Sequence, residues 1–130
     1  MVKTLVVDDT EDTRLVLSQM IEQVGGRVVG QVASGAEALT WLEQQDVDLV
    51  LTDFQMPEMR GDVLVSRIRA QWPTVRIAMI SVLADADIEA RAQAAGVHWL
   101  LSKPVTLAQL EQVVRGAVSH SSRWSGDPRE

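Results

Sequence analysis

Several short runs in this chain are apolar at every position: Leu5-Val6-Val7, Leu49-Val50-Leu51, Ile77-Ala78-Met79-Ile80 and Trp99-Leu100-Leu101. Successive side chains of a strand point to opposite faces of its sheet. A strand without polar alternation must therefore be covered on both sides, a condition met by a parallel sheet with helices packed on each face. The 130 residues suit one domain built around one such sheet.

The segments between these runs carry helical periodicity. Leu17, Met20, Ile21 and Val24 recur at helical spacing after a first strand over residues 3–7, and Gly25-Gly26 ends that helix. Residues 28–32 read as a second, less apolar strand, which places it at an edge of the sheet. Ser34 and Glu37 form a capping box for a helix over 35–45, followed by a third strand over 49–52. The loop Met56-Pro57 leads to Gly61 and a helix to about Gln71, which Trp72-Pro73 stops before a fourth strand over 76–80. Ile88, Ala92 and Ala95 share one face of a helix over 85–95 that Gly96 ends, and the fifth strand covers 98–101. Thr106 and Gln109 form a second capping box, after which Leu107, Leu110, Val113, Val114 and Ala117 line the last helix.

This is a (βα)5 pattern, and right-handed crossovers put its helices on both sides of the sheet. The fold class is α/β, a doubly wound, flavodoxin-like three-layer sandwich with expected parallel strand order 2-1-3-4-5. The domain spans residues 1–118. Residues 119–130 are polar and irregular and read as a flexible tail or the start of a linker.

In such sheets ligands bind beyond the carboxyl ends of the strands, at the switch point between the first and third. Asp8 and Asp9 follow the first strand, Asp53 closes the third, Ser81 the fourth, and Lys103-Pro104 follows the fifth. A hard divalent cation such as Mg²⁺ (or Mn²⁺) takes oxygen ligands. Asp9 and Asp53 can supply carboxylate oxygens, the Gln55 backbone carbonyl a third, and Asp8 can orient a metal-bound water. Taken alone, Asp8-Asp9 reads more readily as a helix N-cap pair, and it is the acid at the end of the third strand that shifts the reading. Three acids at one site repel one another and call for a counter-charge. Lys103 provides part of it, and a cis Lys103-Pro104 bond would aim it back over the strand ends. Ser81 can hydrogen-bond a phosphoryl oxygen once Asp53 is modified.

Composition narrows the function classes. With no cysteine the chain has no disulfide or thiolate metal site, which fits a cytoplasmic location. A formal charge of −6 argues against direct nucleic-acid binding. No apolar run approaches a membrane span, and residues 2–7 read as a strand rather than as the basic start and apolar stretch of a signal peptide.

Asp8-Asp9, Asp53, Ser81 and Lys103, together with the D-x-x-M-P-x-x-x-G segment Asp53–Gly61, resemble the receiver domain of response regulators, chemotaxis regulators among them, over about residues 1–118. The resemblance implies that Asp53 is the phosphoacceptor, attacking the phosphorus of a phosphohistidine on a histidine kinase or phosphotransfer protein. It implies a Mg²⁺ ligated directly by Asp9 and through water by Asp8, and phosphoryl oxygens bound by Lys103 and Ser81. The acyl phosphate would switch the binding of a downstream protein or effector domain at the surface of the fourth helix, fifth strand and last helix. A phosphorylation-dependent homodimer is a further expectation. The chain would catalyse its own phosphorylation and dephosphorylation without being a conventional enzyme. It serves equally as a single-domain regulator or as part of a longer regulator or hybrid kinase.

One position departs from the family. Leu100 stands where an aromatic residue usually couples the hydroxyl switch to the output surface; Trp99 beside it falls on the other face of the strand. Leu100 is expected to repack as Ser81 moves. Gln55 and Leu83, two positions beyond Asp53 and Ser81, are expected to tune dephosphorylation by controlling water access. His98 and His120 read as structural or solvated, Trp41 and Trp72 as packing residues, and Trp124 as part of the tail. A phosphatase of the haloacid dehalogenase type needs a second aspartate where Gln55 stands, and a dinucleotide-binding domain needs G-x-G-x-x-G where Asp8–Thr13 stand. A phosphorylation-independent interaction module would not need all five site residues.

Overall fold

A computed structural model describes residues 1–82 and 85–123, the last five by backbone alone. The elements alternate as β1 (Val2–Val7), α1 (Glu11–Gln23), β2 (Gly26–Val32), α2 (Gly35–Leu42), β3 (Leu49–Asp53), α3 (Gly61–Gln71), β4 (Arg76–Ser81), α4 (Ala86–Ala95), β5 (Trp99–Ser102) and α5 (Leu107–Arg123). The strands form one parallel sheet in the order β2-β1-β3-β4-β5, as expected from the pattern, with β2 on an edge.

The all-apolar strands divide their side chains between two cores. Leu5, Val7, Val50 and Ile77 pack against Ala38 and Leu42 of α2 and Leu64, Val65 and Ile68 of α3. Val2, Val6, Leu49, Leu51, Ala78 and Ile80 pack against Leu17 and Ile21 of α1 and Leu110, Val113, Val114 and Ala117 of α5. A third cluster joins Phe54 and Met79 to Ile88 and Ala92 of α4, with half-buried Leu100 against it. Trp99 packs with the α1/α5 core, so it and Leu100 lie on opposite faces of β5.

Local chemistry sets the helix ends. At α2 the Ser34 hydroxyl accepts from the Glu37 N–H at 3.2 Å, and the Glu37 carboxylate accepts from the Ala33 N–H at 3.1 Å. At α5 the box is reciprocal: Thr106 Oγ1 accepts from the Gln109 N–H at 3.1 Å, and Gln109 Oε1 from the Thr106 N–H at 2.9 Å. Gly96 closes α4 in the left-handed region, at φ 97°.

Two boundaries differ from the sequence reading. Helix α2 stops at Leu42 rather than at residue 45, because the Glu43, Gln44 and Gln45 N–H groups bond back to Leu39 and Trp41 in a closing turn. Helix α5 continues to Arg123, past the expected end of the domain at residue 118. No Pro or Gly follows Gly116 before Gly126, and an established helix adds residues at little cost until something breaks it. Residues 124–130, with Trp124, lie outside the described residues, as does Leu83. Among the described residues no helix is long and apolar enough to cross a membrane.

Candidate functional site

The sheet register brings the acids together. Val7 of β1 pairs with Thr52 of β3, so Asp8 and Asp53 each lie one residue further on, side by side at the carboxyl edge. Asp53 pairs with Ile80, which sets Ser81 just beyond it on β4, and Ser81 pairs with Ser102 next to Lys103. The five expected site residues thus converge on one end of the sheet. Asp8, Asp53 and Ser81 are buried, whereas Asp9 is exposed.

Each acid is held differently. Asp8 Oδ1 accepts from the Thr10 N–H at 2.8 Å, an Asx turn that orders the entry to α1. Asp8 Oδ2 is buried and has no hydrogen-bond partner. The Lys103 ammonium lies 3.8 Å from that atom and 3.6 Å from Asp53 Oδ1, an ion pair with both acids that is too long for a hydrogen bond to either. Its peptide bond to Pro104 is cis. Lys103 is anchored by its N–H, which donates to the Ser81 carbonyl at 2.9 Å.

Asp53 has its carboxyl pushed above the usual aspartate range. Burial is the main cause; Lys103 opposes it, Asp8 adds to it, a hydrogen bond from the Gln55 backbone N–H opposes it, and Asp9 adds a little. Burial thus outweighs the pull of Lys103 on this carboxyl.

The loop after Asp53 is tightly constrained. Phe54 N–H donates to the Ile80 carbonyl and Gly61 N–H to the Phe54 carbonyl, both at 2.8 Å. A Cβ on Gly61 would run into the Asp53 carbonyl oxygen and approach Phe54 Cα to 2.9 Å, so glycine is required there. Met56 is buried in the α2/α3 core and pins the middle of the loop. Pro57 carbonyl accepts from the Met59 N–H at 2.8 Å across Glu58, whose φ is 72°, a strained γ-turn held by these anchors.

The donor set fits a hard divalent cation. Asp8, Asp9 and Asp53 each offer a carboxylate oxygen, and these atoms lie within 4.8 Å of one another. All are oxygen donors, and Asp8 carries a buried oxygen with no hydrogen bond of its own. Gln55 is exposed just beyond Asp53, and its N–H is used on the Asp53 carboxylate.

Sequence reasoning missed two residues here. Arg14 of α1 donates from Nη1 to the Asp8 carbonyl at 2.7 Å. Arg60 pairs with Asp62 and places its guanidinium 5.9 Å from the Phe54 ring centroid. An arginine in a helix or before one carries no pattern that marks its target. Trp41 and Trp72 pack as expected, against the α2/α3 core. His98 Nδ1 accepts from the Ile77 N–H at 3.0 Å, a structural role at the start of β5.

The family model for the response regulator receiver domain matches residues 4–115, and the chain belongs to that family. It is 30% identical over 115 residues to the probable chemotaxis protein CheY of Rhizobium etli, spanning 87% of this chain and 89% of that one. It is also 30% identical over 120 residues to the response regulator UvrY of Escherichia coli, spanning 92% of this chain but 55% of UvrY. Among solved structures, the receiver domain protein from Clostridium thermocellum superposes with TM-score 0.87 at 25% identity, over 95% of this chain and 99% of that one. A chain of the CheX–CheY–BeF3–Mg²⁺ complex from Borrelia burgdorferi gives TM-score 0.83 at 27% identity, over 90% and 89%. The chain is thus a two-component receiver domain, outside the conventional enzyme families.

Proposed function

We propose that this domain is a phosphorylation switch in which Asp53 accepts a phosphoryl group from a histidine kinase or phosphotransfer protein. The observation that carries the reading is the convergence of Asp8, Asp9 and Asp53 within 4.8 Å, with Lys103 between two of them. An Asp53 carboxylate oxygen forms a bond to phosphorus as the phosphorus–nitrogen bond of phosphohistidine breaks, and the imidazole leaves with the electron pair. A bound Mg²⁺ or Mn²⁺ supplies neutralisation of the phosphoryl oxygens and alignment of the attack. Asp9 and Asp53 would hold that cation, with the Gln55 carbonyl, and Asp8 would orient water bound to it. Lys103 exchanges its long contact with Asp53 for a phosphoryl oxygen, and the Ser81 hydroxyl donates to another. Water later hydrolyses the acyl phosphate, with Gln55 and Leu83 setting its access.

The switch acts on a partner or effector domain through the α4–β5–α5 surface, with a phosphorylation-dependent homodimer as one form of output. Leu100 is the coupling residue on that surface. Its half-buried place against Phe54, Met79, Ile88 and Ala92 supports this, because Phe54 directly follows the phosphoacceptor. Leu100→Ala is expected to lower partner affinity of the phosphorylated form; unchanged affinity would remove Leu100 from the coupling.

The test is a native mass spectrum after incubation with acetyl phosphate and Mg²⁺. One added phosphoryl mass, absent in Asp53→Asn and without Mg²⁺, is the expected result. No adduct on the folded protein would leave a phosphorylation-independent interaction module as the better reading.

A further inference from the structure

Asp8 is fastened at three of its four polar atoms. Its N–H donates to the Val32 carbonyl at 3.1 Å, its Oδ1 accepts from Thr10, and its carbonyl accepts from Arg14 Nη1 at 2.7 Å. The fourth, Oδ2, is buried without a hydrogen bond and faces the Lys103 ammonium at 3.8 Å, the same ammonium that pairs with Asp53. Arg14 is half-buried, and the Ser18 hydroxyl donates to its carbonyl at 2.7 Å. It is the fourth residue of α1, after Glu11 and Asp12. A positive charge this close to a helix N-terminus works against the helix dipole, and it also opposes a cation at the neighbouring acids. Its charge therefore does not explain its place; its donor does. A guanidinium N–H to a carbonyl at 2.7 Å is in the short, charge-assisted range.

We propose that Arg14 is a positioning residue for the cation site: by clamping the Asp8 peptide it keeps the Asp8 carboxylate turned into the acidic cluster. The inference rests on the cation reading of that cluster. Groups that orient a metal's surroundings from behind commonly change its affinity by about tenfold or more when removed. Through its charge alone, Arg14 would have the opposite effect, and its removal would tighten binding.

The experiment is a Mn²⁺ titration of the full chain, read as loss of the free-ion electron paramagnetic resonance signal, for the parent, Arg14→Met, Arg14→Lys and Arg91→Met. Arg91 is an exposed arginine of α4 paired with Asp87, and its variant matches the charge change of Arg14→Met. Expected are Mn²⁺ binding by the parent, about tenfold weaker binding by Arg14→Met, an intermediate value for Arg14→Lys, and a change within about twofold for Arg91→Met. Equal or tighter binding by a folded Arg14→Met overturns the proposal. If Arg14→Met does not fold, Arg14→Lys decides, and parental affinity in it overturns the proposal. No Mn²⁺ binding by the parent overturns the cation reading itself and this inference with it, an outcome distinct from parent binding that the Arg14 variants leave unchanged.

Discussion

The two ends of this sheet use carboxylates in opposite ways. At the amino end, Asp48 precedes β3 and closes a small circuit. Its Oδ2 accepts from the Lys3 N–H at 2.8 Å, its N–H donates to the Lys3 carbonyl at 2.8 Å, and its carbonyl accepts from the Arg76 N–H at 3.0 Å. At the carboxyl end, Asp8, Asp9 and Asp53 converge, one buried oxygen has no hydrogen bond, and the nearest ammonium stands 3.6–3.8 Å away. Both ends belong to the same strands and the same register. The difference teaches that a parallel sheet does not by itself create a site: one acid is spent on stapling three strands, while three others are gathered and left short of positive charge.

The largest expected effect that tests this contrast is on chemistry. Lys103→Met should slow phosphorylation by acetyl phosphate about 100-fold, because a fixed positive charge at the developing phosphoryl oxygens is lost. Asp48→Asn, at the other end, should leave that rate within about twofold. A stopped-flow or quenched time course with both variants checks it, and equal slowing in the two would erase the distinction.

Next in size is Gly61→Ala. Its Cβ meets the Asp53 carbonyl and Phe54 backbone, which cannot swing away like the end of a side chain. A loss of about 2–3 kcal/mol in urea unfolding is expected, within the range for backbone overlap at a packed site. A loss below about 0.5 kcal/mol would show that the loop after Asp53 yields easily. Asp48→Ala should cost about 1 kcal/mol by removing an exposed hydrogen bond to the Lys3 N–H, without altering divalent-cation affinity.

The smallest effect concerns pH. Burial raises the Asp53 carboxyl above its unfolded value of 3.8, so the folded chain binds the proton more tightly than the unfolded one. Between the unfolded and folded values stability falls as pH rises, and above the folded value the full penalty of the ionised carboxylate is present. Asp53→Asn should therefore stabilise the metal-free protein at neutral pH, and that advantage should shrink as pH falls through the raised value. Thermal melts in a chelator across pH 4–8, a span of about four units around the usual carboxylate range, read this directly. A neutral-pH melting temperature that is unchanged or lower in Asp53→Asn contradicts the assignment of burial as the dominant cause.

Much of this was legible from residues alone because strand alternation and helical spacing are local signals. The all-apolar runs required helices on both faces, and Leu17, Ile21, Leu110, Val113, Val114 and Ala117, picked out by helical spacing, line the α1/α5 core, whereas Leu107 at the start of the last helix is exposed. The Thr106/Gln109 capping box is made in full and the Ser34/Glu37 one by its Ser34 half, with Glu37 reaching Ala33 instead, since each pair is only three residues apart. What sequence could not show are contacts set by register and by long side chains. That Asp8, rather than Asp9, is the buried acid beside Asp53 follows from the pairing of Val7 with Thr52. The reach of Arg14 back to Asp8 and the positive φ of Glu58 depend on how loops close over the sheet, which no spacing encodes. Helix α5 runs on to Arg123 through a polar stretch whose composition carries no apolar period to mark it as helix.

The most direct test of the central claim, that the carboxyl end is short of positive charge and accepts a divalent cation, is the effect of Mg²⁺ on thermal stability. With Mg²⁺ at ten times its dissociation constant, the folded state should gain about 1.4 kcal/mol and the melting temperature should rise. The same Mg²⁺ should raise the melting temperature of Asp48→Asn equally and that of the Asp8→Asn/Asp53→Asn double variant little. A parent melting temperature unmoved by millimolar Mg²⁺, or a rise that persists in the double variant, would contradict the account.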